Sequence, residues 1–204
     1  GRGQGDHQWH SRPGENLLMS LLLFPAFLSA SGQFQLSRVA SLALIDTLGS
    51  MGLHAVIKWP NDILVKRRKL AGILIENAIS GKMLTHSIIG IGQNLNQTEF
   101  PVFPLGATSL ALELGYKSER MQVADHLLEA LMTRYRQLEK GDEAGLESAY
   151  LEHLFLLDQP AGFSSGGKQF TGIIRGLSKV GELVLERGGR TREYAFQEIQ
   201  FLLD

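Results

Sequence analysis

The chain has 204 residues, 44% of them hydrophobic and 20% charged, a globular composition with enough apolar side chains for one large domain or one plus a small one. Its 20 basic and 21 acidic residues leave a formal net charge of -1, which excludes bulk electrostatic attraction to nucleic acid or an anionic membrane, so any phosphate recognition must be local. There is no cysteine, which excludes disulfides, thiolate metal sites and cysteine nucleophiles and makes a cytoplasmic protein the simplest expectation.

The chain opens Gly1-Arg2-Gly3 without a methionine, and a fragment with its natural N-terminal part upstream is expected. A basic patch followed by an apolar run is lacking there, so no signal peptide is expected. The longest apolar stretch, 17–30, contains Pro25 and falls short of the roughly 20 residues that span a bilayer, so no membrane partner is expected. Residues 16–24 are almost continuously apolar and predict a strand buried on both faces. Over 34–51 the positions Leu36, Val39, Ala40, Ala43, Leu44 and Leu48 recur at helical spacing, and Gly52 stands where a helix would be closed.

Short strands at 55–59 and 63–65 are separated by Pro60, Asn61 and Asp62, which favour a turn. The basic run Lys66, Arg67, Arg68, Lys69 leads into a strand over 70–78, and Ser80-Gly81-Lys82 divides it from another over 83–91. Strand after strand implies antiparallel hairpins, not strict alternation with helices. Helical patterns return at 107–114, at 118–138 with Ser118 as N-cap, and at 142–157. From 160 to 204 short strands alternate with glycine turns, predicting a small β-barrel.

Three motifs carry candidate chemistry. GRGQGDHQWHS, residues 1–11, combines closely spaced glycines, whose amides can approach an anion, with the planar guanidinium of Arg2; alone it also reads as a flexible loop. KWPND and KLAGILIE, residues 58–62 and 69–76, place Lys58 at a strand end beside Trp59, where partial burial could hold an ammonium against a carboxylate or phosphate; a hairpin turn with a core tryptophan is the plainer alternative. GIGQNLN, residues 90–96, ends a strand with glycines and Asn94, suited to ribose or phosphate and equally to a polar loop. His7 and His10 lack further ligands at zinc-site spacing, so no metal site is expected from a motif.

Taken together and in this order, the motifs resemble those of biotin protein ligases over nearly the whole chain. The resemblance implies an α+β fold: a mixed, largely antiparallel central sheet flanked by helices, like class II aminoacyl-tRNA synthetases, over residues 1–158, and a C-terminal SH3-like β-barrel over 159–204. It implies a loop containing Arg2, Gly3, Gln4 and Trp9 that orders over biotin. It also implies that Lys58 contacts the biotin carboxylate and the reacting phosphate, that Arg2 shares the catalytic role, and that Arg2, Asn61, Lys69 and Asn94 serve the nucleotide. ATP with Mg2+, biotin, a biotin carboxyl carrier protein and a homodimer are the implied ligands and partners, with no nucleic acid bound by this stretch.

Two departures from the family pattern stand out. Gln4 occupies a place where many members have a second arginine, and the family's serine/threonine-asparagine biotin motif belongs upstream of Gly1. The implied reaction is adenylation of a carboxylate followed by acyl transfer to a lysine. Two anions must meet, so cations at phosphorus are required. Lipoate or octanoate attachment is the nearest alternative chemistry, and a non-catalytic ligand-binding regulator is the alternative of another class.

Overall fold

In the computed structural model residues 3, 9–102 and 105–203 are described. Five strands, β1 (Leu17–Leu23), β2 (Ala55–Lys58), β3 (Asp62–Val65), β4 (Arg68–Ser80) and β5 (Met83–Gln93), form a sheet of order β1-β5-β4-β3-β2. Every pairing in it is antiparallel, so the expected mixed sheet is a wholly antiparallel one, with parallel pairing confined to single bridges such as Ile57 with Leu154. Helix α1 (Phe34–Ser50) packs against β2, β3 and β4 and also against α3 (Arg120–Glu139) and α4 (Glu143–Glu152). Leu36, Val39, Ala40, Leu42, Ala43, Leu44 and Leu48 are buried along it, and so are Ile57, Ile63, Ile73, Ile89 and Ile91 of the sheet. Each such Leu or Ile contributes about 1.5–3 kcal/mol relative to exposure.

The strand over 16–24 is present, but it is not buried on both faces. As the terminal strand of the sheet, β1 packs one face on α3 and leaves Leu18 and Leu22 at 53% and 55% exposure on the other, the usual alternation of an antiparallel edge. Three helix ends also differ from expectation. Helix α2 covers only Leu110–Leu114, because Gly106 and Thr108 are drawn into main-chain hydrogen bonds with Lys69 and the Ser109 side chain then caps the helix. Helix α3 is capped by Glu119, since Ser118 exchanges hydrogen bonds with Asn96, its N–H donating to Oδ1 at 2.8 Å and its carbonyl accepting from Nδ2 at 2.9 Å. Helix α4 stops at Glu152 because the next residues pair with β2: Ile57 N–H donates to His153 and Phe155 N–H to Ile57.

Strands β6 (Pro160–Ser165), β7 (Lys168–Leu177), β8 (Leu183–Arg187), β9 (Arg190–Tyr194) and β10 (Gln200–Leu202) form a second antiparallel sheet of order β10-β6-β7-β8-β9. Its end strands β10 and β9 do not pair, so these ladders form an open sheet and not the closed barrel that the glycine turns suggest. It is bound to the first sheet through Trp59, whose Nε1 donates to the Gly181 carbonyl at 2.8 Å and whose ring meets Phe196 edge-on at 6.2 Å. Gly181 has φ +90, and a Cβ there would fall inside Phe34 of α1. Gly181→Ala is therefore expected to cost about 2–4 kcal/mol through backbone strain and overpacking, read as a lower midpoint in urea denaturation.

Candidate functional site

Antiparallel register sets a line of residues across the sheet, on the face away from Ile57, Ile73 and Ile91: Lys58 opposes Asp62, Asp62 opposes Gly72, Gly72 opposes Gly92, and Gly92 opposes Leu18. Two adjacent strands thus present glycine at one level, leaving a side-chain-free strip. The Trp9 indole fills it: a Cβ on Gly92 would lie 2.6 Å from Trp9 Cε2, and one on Gly72 would lie 3.1 Å from Cζ3. Lys69 bounds the same strip, its Nζ 5.6 Å from the Trp9 ring centre and 3.4 Å from where a Gly72 Cβ would stand. That distance is in the range of cation–π attraction.

Asp62 holds both lysines. Its Oδ1 is 2.6 Å from Lys69 Nζ and its Oδ2 is 3.6 Å from Lys58 Nζ, so one carboxylate offsets two ammonium groups. Lys58 is turned toward the second sheet, 5.1 Å from the Phe201 ring centre. Asn94 is buried just beyond β5. Its N–H donates to the Leu70 carbonyl, its Nδ2 donates to the Thr108 carbonyl at 3.0 Å, and its Oδ1 is buried without a partner among the described residues. Asn94 is thereby fastened beside Lys69.

The segment running over Lys69 is anchored by Glu113, whose side chain is 1% exposed. Its carboxylate accepts from Thr108 Oγ1 at 2.5 Å and from Arg68 Nη2 at 2.6 Å, and pairs with Lys66 Nζ at 3.0 Å. Burial opposes ionisation most strongly, but the hydrogen bonds from Thr108 and Lys66 and the charges of Arg68 and Lys66 together outweigh it, leaving this carboxyl below its ordinary value. Elsewhere, a hollow of about 280 Å3 lies between the start of α1, the turn at Trp59, Pro60 and Asn61, and Phe196. Asn61 lines it and spends its Nδ2 on the Ile73 carbonyl at 2.8 Å.

A model of the biotin/lipoate A/B protein ligase family matches residues 1–94. The biotin--[acetyl-CoA-carboxylase] ligase of Paracoccus denitrificans is 34% identical over 200 residues, which are 95% of this chain and 82% of that protein. The chain belongs to the biotin protein ligase family. The bifunctional ligase/repressor BirA of Bacillus subtilis is 38% identical over 140 residues, and the match covers only 43% of that relative's length. Among solved structures, a biotin protein ligase from Aquifex aeolicus in complex with biotin and ATP superposes with a TM-score of 0.79 at 25% identity, covering 97% of this chain and 82% of that one.

Of the residues expected in a ligase site, Trp9, Lys58, Lys69 and Asn94 are drawn together around β3, β4 and the end of β5, Gly3 is half-buried, and Asn61 faces the separate hollow. Arg2 and Gln4 lie outside the described residues. Asp62, expected only to shape a turn, and Gly72 and Glu113 were not legible as site residues from the sequence. Asp62 was hidden by its place in a turn, Gly72 by the need for a register to pair it with Gly92, and Glu113 by its distance in sequence from Lys66 and Arg68.

Among the described residues no cluster of three or more His, Asp or Glu side chains could hold a metal unaided. A magnesium ion carried on nucleotide phosphates needs few protein oxygens, and Asn94 Oδ1, a buried oxygen without a partner among the described residues, fits as one of them. No described helix is long and apolar enough to cross a membrane.

Two measurements check this geometry. Gly92→Ala should expel the Trp9 indole from the strip, seen as a red shift of tryptophan emission, since the chain's second tryptophan, Trp59, is 3% exposed and stays buried. The lowered Glu113 value means that its stabilisation is complete above the unfolded-state value and is lost as pH falls through the folded one. The stability gap between the native chain and Glu113→Gln should be widest near neutral pH and close below about pH 4, read by denaturation at a series of pH values.

Proposed function

We propose that this chain activates biotin with ATP as biotinyl-5'-AMP and transfers the biotinyl group to a lysine of a biotin carboxyl carrier protein. The observation that carries the reading is the lysine pair, Lys58 and Lys69, held on one carboxylate at the end of a glycine strip covered by Trp9. The Trp9 indole occupies the strip here, so a flat ligand ring would enter it as the indole moves aside, and cations at its end suit the meeting of two anions.

In the first step a biotin carboxylate oxygen attacks the α-phosphorus of ATP; the bond from that phosphorus to the bridging oxygen breaks and pyrophosphate leaves. Lys69, directed at the strip, offsets the charge that builds on the phosphoryl oxygens. Lys58 serves as a second cation on the side of the C-terminal sheet, and Asp62 holds the two lysines until anionic ligands compete for them. Asn94 Oδ1 would be the protein oxygen offered to a magnesium ion entering with ATP, which would supply neutralisation of phosphate charge. In the second step the neutral amine of the carrier lysine attacks the anhydride carbonyl, the carbonyl C–O bond breaks, AMP departs and the amine loses its proton. Water would hydrolyse the anhydride, and Trp9, with the loop expected to contain Arg2 and Gln4, is the cover that excludes it.

The catalytic part is taken as residues 1–158 and the C-terminal part as 159–204, an SH3-like unit by resemblance that borders the site through Phe201.

Biotin-dependent exchange of pyrophosphate into ATP tests the reading, with lipoate as competitor. Biotin should support exchange and lipoate should not displace it; support by lipoate alone would move the chain to lipoate attachment. Lys69→Ala and Lys58→Ala are each expected to lower exchange by about 10²- to 10³-fold with the fold retained, and Asn94→Ala by less. Unchanged exchange in folded lysine variants would sink the reading.

A further inference from the structure

Lys66 and Arg67 form the turn between β3 and β4 with φ 48 and 65, a left-handed conformation that L side chains adopt only when held. Glu113 holds this turn through Lys66 and Arg68 on either side of Arg67, and Arg67 itself lies 5.5 Å from the Phe155 ring centre. The same carboxylate accepts from Thr108. Thr108 in turn donates its N–H to the Lys69 carbonyl at 2.9 Å, Lys69 donates its own N–H to the Gly106 carbonyl at 3.2 Å, and Asn94 donates to the Thr108 carbonyl. A single buried side chain therefore fastens a strained turn and a loop, and the main chain of Lys69 and the amide of Asn94 hang between them. Its neighbours in α2, Leu110 and Leu114, are apolar, so packing alone would be served by a leucine at 113.

We propose that Glu113 is a positioning residue for adenylation, setting Lys69 and Asn94 through Thr108 and Arg68. The proposal rests on the ligase reading above. Glu113 is 1% exposed and acts through its neighbours. It fixes where the main chain of Lys69 and the side chain of Asn94 stand when ATP arrives, while Asp62 holds the Lys69 ammonium; Gly72 and Gly92, which face Trp9, belong to β4 and β5.

The test uses the full-length natural protein with Glu113→Gln and Glu113→Asp, measuring biotin-dependent pyrophosphate exchange, biotin binding by calorimetry and amide hydrogen exchange. Glu113→Gln should lower kcat/KM for ATP by about tenfold or more while biotin affinity stays within about twofold. Protection of the Lys69 and Thr108 amides should fall about tenfold while that of α1 is kept. Glu113→Asp, which retains the charge, should recover most of the loss. Unchanged kcat/KM for ATP in Glu113→Gln would overturn the proposal. So would a uniform loss of amide protection with a parallel loss of biotin binding, or a Glu113→Asp variant no better than Glu113→Gln. If the unsubstituted protein shows no exchange at all, the ligase reading fails instead, and the amide protection of Lys69 and Thr108 still decides whether Glu113 holds this segment.

Discussion

Two ammonium groups cannot be gathered near one another without an anion to share, and the site depends on how that problem is met. Asp62 stands at the first position of β3, opposite Lys58 on β2, and reaches Lys69 at the start of β4. A compact hairpin places all three within one corner of the sheet. The pairing is only partly buried, so its Coulomb attraction is moderate and can be exchanged for that of an incoming anion. A fully buried pair would hold the lysines too firmly to release them, and a fully exposed one would leave them to wander. Everything else at the site, from the glycine strip to the covering indole, is organised around that corner.

Much of the scaffold was legible in the sequence because it rests on periodicity. Helix α1 repeats its apolar residues at helical spacing, and the β2 to β5 meander shows as apolar runs separated by turn residues. Legibility failed where a side chain had a distant partner. Ser118 resembles a cap from its neighbours alone, but Asn96, 22 residues earlier, claims both of its main-chain groups. Ala107 has a helical environment in sequence, yet the flanking peptide groups are committed to Lys69. The openness of β1 was hidden for the same reason, since continuous apolar character does not say whether a strand has neighbours on one side or two.

The site divides in the same way. Lysines and asparagines in recognisable motifs could be named from their residue type and order. The glycine strip could not, because Gly72 and Gly92 are 20 positions apart and become one surface only after β4 and β5 pair in a particular register. Asp62 and Glu113 were invisible as site residues because acidic side chains are common and their meaning here lies in which cations they meet. Family likeness supplied the chemistry, and the sheet supplied the neighbours.

The bond from the Trp59 indole to the Gly181 carbonyl, with Phe34 pressed against the same glycine, has a mechanical corollary. A hinge between the two sheets would have to pull a buried N–H from its acceptor and open an aromatic seam, a costly motion for routine turnover. Separating the C-terminal sheet from the first would therefore cost both contacts together, which ties the placement of Phe201 beside Lys58 to the packing of a tryptophan one residue further along the chain.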